Sequence, residues 1–219
     1  MAKRVGVLLS GCGVMDGSEI HEAVLTLLAI DNAGAEAVCL APDAPQAHVV
    51  NHLTGQPVEG EGRNILTESA RIARGKVKAL AETTVDDFDA LVLPGGFGAA
   101  KNLCSYAFDG PAMTVNAEVE KLVIAAAEAK KPICAVCIAP VLLAKILGER
   151  GALLTIGADE GVAGHVKELG AEHVACPVKE FVVDKEHLLV STPAYMLGQG
   201  IGEVAAGIDK AVRATLELV

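Results

Sequence analysis

Short apolar runs alternate with longer amphipathic stretches along this chain. Runs of strand length recur at residues 4–10, 36–41, 90–96, 132–137, 153–157 and 187–192. They are apolar at nearly every position rather than at every second one, the pattern of parallel strands covered on both faces. Between them, residues 18–33 predict a helix with Ser18 as N-cap, a row of Ile20, Val24, Leu27 and Leu28, and a stop at Gly34. Residues 116–129 and 197–217 predict two more, the latter with Ile201, Val204, Ala205, Ile208, Val212 and Leu216 on one side. This alternation predicts an α/β fold, a doubly wound and mostly parallel sheet sandwiched by helices, in a single domain spanning 1–219. Two stretches break the pattern. Residues 42–63 are rich in Gly, Pro and polar side chains and read as a long excursion carrying function or an interface. Residues 172–190 hold two β-rich runs around Asp184, Lys185, Glu186 and His187, a hairpin flanking the sheet.

Composition narrows the function classes. With 52% hydrophobic residues in 219, the chain can bury one substantial core. A net charge of -10, with Lys and Arg scattered, argues against nucleic acid as a partner. No window approaches ~18 uninterrupted apolar residues, and the N-terminus lacks a signal-peptide pattern, so a cytoplasmic chain with no membrane partner is expected. The six cysteines show no paired zinc-ligand spacing, and no metal or other cofactor is expected. Cys134 and Cys137 form one C-x-x-C, but Cys134 lies inside the strand pattern rather than opening a helix.

Candidate chemistry gathers where strands end. Residues 130–147 run from an apolar strand into an apolar helix with Cys137 at the corner, flanked by the small Ala135 and Ala139. In open α/β sheets ligands bind beyond the carboxyl ends of the strands. A thiol at a helix start is favoured as thiolate, so Cys137 is expected to be the most acidic of the six. By position alone it is equally a small buried hydrophobe. The adjacent Gly95 and Gly96 end another strand and could offer an N–H beside that of Ile138 as an oxyanion hole. After the first strand, residues 11–25 bring Cys12, Glu19, His21 and Glu22 to the same edge, with Glu19 and Glu22 on one helix face. Cys12 is the rival nucleophile, and a carboxyl near the thiol could shuttle protons.

Taken together, the segments 10–30, 51–55, 70–76, 93–103, 137–140, 154–157, 170–174 and 191–196 resemble the ThiJ/PfpI superfamily, the cysteine-elbow branch of the flavodoxin-like, class I glutamine-amidotransferase-like fold. Within it, they are similar in order to the ElbB, or ES-one, family, described as isoprenoid-biosynthesis-related glyoxalases. The resemblance implies Cys137 as nucleophile, Glu22 as its partner carboxyl, and Gly96 and Ile138 as oxyanion amides. Ile138 stands where many relatives carry a histidine and Ala175 lies near a second such place, leaving His173, two residues off register, as a further candidate. The H-x-E tripeptide of true amidotransferases does not occur.

The implied activity is that of a cofactor-independent glyoxalase turning small dicarbonyls such as glyoxal into 2-hydroxy acids. On early sugar-aldehyde adducts of proteins the same chemistry would register as deglycase activity. The alternative is a redox-sensing or chaperone-like protein with an oxidisable Cys137. A homodimer is expected from superfamily habit and the apolar excess on some helix faces.

Overall fold

The computed structural model describes residues 2–219. In chain order the strands are β1 (Arg4–Leu8), β2 (Glu36–Ala41), β3 (Val50–Asn51), β4 (Gln56–Pro57), β5 (Val77–Ala79), β6 (Ala90–Leu93), β7 (Ile133–Val136), β8 (Leu153–Leu154), β9 (Glu172–His173), β10 (Val182–Asp184) and β11 (Leu189–Thr192). The helices are α1 (Ile20–Asn32), α2 (Ile65–Ile72), α3 (Phe97–Lys101), α4 (Tyr106–Asp109), α5 (Ala117–Glu128), α6 (Pro140–Leu147), α7 (Glu160–Glu168) and α8 (Ile201–Glu217). A seven-stranded sheet runs in the order β10-β11-β7-β6-β1-β2-β5, parallel throughout except for the β10–β11 hairpin at one edge.

Successive side chains of a strand point to opposite faces, and the central strands sort their residues that way. Ile133 and Ala135 enter one core with α5, α6 and α7, whereas Cys134 and Val136 enter the other with α1 and α8. Gly6 on β1 leaves room for the fully buried Phe88, whose ring atoms would lie 3.0 Å from a Cβ placed there.

The doubly wound, mostly parallel α/β architecture matches the sequence pattern, and so does the hairpin at 182–192. Local details differ for identifiable reasons. Only Leu153 and Leu154 of the run 153–157 form a strand, and they pair with β9 in a separate two-stranded sheet. Side chains claim the ladder donors there: Thr155 N–H donates to Ser191 Oγ at 2.9 Å and Ile156 N–H to His173 Nε2 at 3.3 Å. Helix α1 is capped by Glu19 rather than Ser18, whose hydroxyl instead accepts from Ser10 N–H at 2.9 Å. The helix is also rotated from its expected face, burying Glu22, Ala23, Thr26, Ala29 and Ile30 while Ile20, Val24 and Leu28 face outward. Residues 42–63 hold the small β3–β4 hairpin, pinned by Val50 N–H donating to Asp16 Oδ2 at 2.7 Å.

Candidate active site

Strand β7 ends at Val136 and α6 begins at Pro140, so the chain turns sharply between them. Cys137 makes that turn with φ +63°, in the left-handed region that costs a non-glycine residue roughly 1–3 kcal/mol and persists only where the surroundings enforce it. One enforcing contact is Cys137 N–H donating to the Thr192 carbonyl at 2.9 Å, an extension of the β7–β11 ladder past the strand end. The turn aims the thiol back over the carboxyl edge of the sheet.

Glu22, fully buried on α1, has its carboxyl beside that thiol. Two backbone donors hold its carboxyl from either side: Gly95 N–H reaches Oε2 at 3.0 Å and Tyr195 N–H reaches Oε1 at 3.2 Å. Both donors sit on demanding backbone. A Cβ on Gly95 would lie 2.5 Å from Cys137 Cβ and 2.5 Å from Glu22 Oε2, so only glycine fits. Ala194, just before Tyr195, has φ +44°, a second left-handed non-glycine residue at this edge. Gly96, at φ +96°, packs against the backbone of Gly17, Ser18 and Glu19, and its N–H, with that of Ile138, points at the Cys137 sulfur.

Burial raises the Glu22 carboxyl from 4.5 to about 7; the Cys137, Tyr195 and Gly95 hydrogen bonds oppose the rise and the Glu19 charge adds to it. Burial, reinforced by the charge of Glu22 and the hydrogen bond to it, pushes the Cys137 thiol well above its usual value, against the pull of the Gly96 and Ile138 amides. The expectation of a thiol acidified by its helix start is therefore corrected. Helix α6 begins three residues beyond Cys137, Pro140 contributes no N–H there, and burial outweighs the two amides. A thiol so placed can ionise by passing its proton to a neighbour, and Glu22, raised to about 7, is the carboxyl beside it.

Cys137 opens onto a cavity of about 300 Å³, walled by Val14, Phe97, Ala100, Ala107, Ile138 and Met196. Its polar lining comes from Glu19, Tyr106 and Tyr195. Each tyrosine hydroxyl is held by a histidine, Tyr106 by His165 Nδ1 at 2.8 Å and Tyr195 by His21 Nδ1 at 2.8 Å. These four residues were missed as a set, although one signal was available. The chain contains only two tyrosines, and both line this cavity.

Cys137, Glu22, Gly96 and Ile138 thus come together. The Gly95 amide belongs to Glu22 rather than to an oxyanion hole. Glu19 caps α1, its Oε2 accepting from Glu22 N–H at 2.7 Å, and also lines the cavity. Cys12 lies outside the cavity lining, half-exposed in a cluster with Glu68, Arg71, Asp16 and Arg63. His173 lies in the two-stranded sheet, where its Nε2 accepts a backbone N–H, and it does not line the cavity.

Known proteins share this arrangement of chain. Residues 12–194 match the model of the DJ-1/PfpI family. The human protein named glutamine amidotransferase-like class 1 domain-containing protein 3, mitochondrial, is 48% identical, over 99% of this chain and 84% of its own length. The Rattus norvegicus ES1 protein homolog, mitochondrial, is 46% identical, over 98% of this chain and 84% of its own. A crystal structure of an isoprenoid biosynthesis protein with amidotransferase-like domain from Ehrlichia chaffeensis superposes with a TM-score of 0.93 at 40% identity, covering 99% of each chain. The mitochondrial names of the human and rat relatives overturn the cytoplasmic expectation, which rested on the lack of a long apolar window and of a signal-peptide pattern. With a family model matched over most of its length and relatives near half identity, the chain belongs to the DJ-1/PfpI family, as an ES1-type member.

Proposed function

We propose that this protein is a cofactor-independent glyoxalase acting on small 2-oxoaldehydes, with Cys137 as nucleophile and Glu22 as the single proton carrier. The observation that carries this reading is the buried Glu22 carboxyl beside the Cys137 thiol, which lines an apolar cavity and has two amides at its sulfur. Cys137 sulfur bonds to the aldehyde carbon while its proton passes to Glu22, and the new alkoxide is received by the Gly96 and Ile138 N–H groups. Glu22 returns the proton to that oxygen, completing a hemithioacetal. The Glu22 carboxylate next removes the C–H proton of this carbon, giving an enediolate, and delivers it to the neighbouring carbon, while the O–H proton of the first carbon shifts to the oxygen of the second. One carbon is thereby oxidised to a thioester and the other reduced to a carbinol. Water cleaves the thioester, releasing the 2-hydroxy acid, glycolate from glyoxal, and restoring the thiol.

A carboxyl near 7 suits a group that must take and give a proton repeatedly at neutral pH. Consumption of glyoxal by the purified protein tests the proposal. Glu22→Gln should lower turnover by a factor on the order of 10²–10⁴, and Cys137→Ser should abolish it. Wild-type protein inert toward glyoxal and methylglyoxal, or a fully active Glu22→Gln, contradicts it.

A further inference from the structure

One charged side chain lines the cavity among the described residues, and it is the carboxylate of Glu19. Its Oε2 is committed to the Glu22 N–H at 2.7 Å, which fixes the group at the start of α1. Among the described residues no Lys, Arg or His forms an ion pair with it. The cation beside the wall is Lys101, whose Nζ donates to the Met15 carbonyl at 3.1 Å and stacks 5.0 Å from the centre of the Phe97 ring. Lys101 does not line the cavity. An incoming molecule therefore meets the Glu19 carboxylate and an apolar wall, with Cys137 in the lining and Glu22 buried behind it.

Charge acts strongly in such a place. Apolar walls exclude the water that would screen Glu19, so an anion brought to the sulfur meets repulsion that a surface carboxylate could not exert. A neutral molecule meets none, and an aryl or alkyl substituent gains by leaving water for Phe97, Val14 and Met196. We infer that Glu19 makes the Cys137 cavity a charge filter, which admits neutral electrophiles bearing an apolar substituent and turns away anionic ones. Within the glyoxalase reading, on which the word substrate rests, the favoured class is neutral 2-oxoaldehydes with an aryl or alkyl group. The filter itself acts on any reagent for Cys137.

Alkylation separates the two ideas. With iodoacetamide or iodoacetate the Cys137 sulfur forms an S–C bond as the C–I bond breaks, iodide leaves with the bonding pair, and the thiol proton passes to Glu22. Both rates are measured at pH 8 by mass mapping of Cys137, and their ratio is divided by the same ratio for a small free thiol. In the wild type the corrected preference for iodoacetamide should be on the order of tenfold. Glu19→Gln, which keeps an oxygen to cap α1, should cut it several-fold, to what the buried Glu22 charge alone maintains, and Glu19→Asp, which keeps the charge, should retain it. In parallel, phenylglyoxal should be consumed in preference to 4-carboxyphenylglyoxal. A wild-type ratio equal to that of the free thiol, or one unmoved by Glu19→Gln, overturns the filter even if both arylglyoxals are consumed. A Glu19-dependent ratio with neither arylglyoxal, glyoxal nor methylglyoxal consumed upholds the filter and sinks the glyoxalase reading.

Discussion

Cys12 and Cys137 stand at ends of different strands along one edge of the sheet, yet their surroundings differ in kind. Cys12 is half-exposed, and its thiol is raised by burial and by Glu68 and Asp16, with Arg71 and Arg63 opposing. Its neighbours form a charged cluster, in which Arg71 Nε lies 2.8 Å from Glu68 Oε2 and Arg63 3.7 Å from the same oxygen. Cys137 is more deeply buried and its thiol is raised further, by burial and by a carboxyl that is itself raised to about 7. Exposure and nearby cations, the usual marks of a reactive thiol, favour Cys12. What distinguishes Cys137 is its own left-handed turn, the buried Glu22 carboxyl beside it, two amides at the sulfur and a cavity to receive a ligand. In the proposed function, reactivity there comes from proton transfer rather than from a standing thiolate.

That comparison can be broken through stability. Glu22 holds its proton more tightly folded, near 7, than at its ordinary 4.5, so the folded state binds more protons in this window. Stability from this group is therefore full at pH below about 4.5 and falls as pH rises through 7, by roughly 3 kcal/mol in all. Denaturant unfolding of wild type against Glu22→Gln should show the wild type losing that amount relative to the variant between pH 4.5 and 8. A difference flat with pH would mean that Glu22 is ordinary.

Glycine substitutions sharpen the contrast at smaller cost. Gly95→Ala places a methyl 2.5 Å from both Cys137 Cβ and Glu22 Oε2, and should destabilise by about 1–3 kcal/mol while cutting turnover. Gly164→Ala on α7 meets open space and should stabilise by about 0.5–1 kcal/mol with turnover unchanged. Thermal unfolding and glyoxal consumption on the two variants check both halves.

The sheet was legible because fully buried parallel strands are apolar at nearly every position, as in Ile133–Val136 and Ala90–Leu93. Strand β5, with only Val77, Lys78 and Ala79 half-buried at the sheet edge, carries no such signal. The meeting of Cys137 and Glu22 was legible only by resemblance, because the rotation of α1 that brings them together buries a carboxylate and leaves Ile20, Val24 and Leu28 outside. An amphipathic pattern places its apolar row inward, and here the row misleads. The direction of the thiol shift was also hidden, since it depends on burial and on Glu22, a carboxyl held by Gly95 and Tyr195, 73 and 173 residues away from it in sequence. Short-range motifs carry the turn at Cys137 but not the charge held beside it.

The most direct test of the account is the pH dependence of iodoacetamide labelling at each cysteine, resolved by mass mapping, in wild type and in Glu22→Gln. Labelling of Cys137 in the wild type should rise as pH passes about 7, where Glu22 becomes free to take the thiol proton. That rise should disappear in Glu22→Gln, while the profile of Cys12 stays the same in both proteins. A Cys137 profile unchanged by the substitution, or Cys12 labelled ahead of Cys137 throughout the range, would contradict the claim that Cys137 and Glu22 work as one unit.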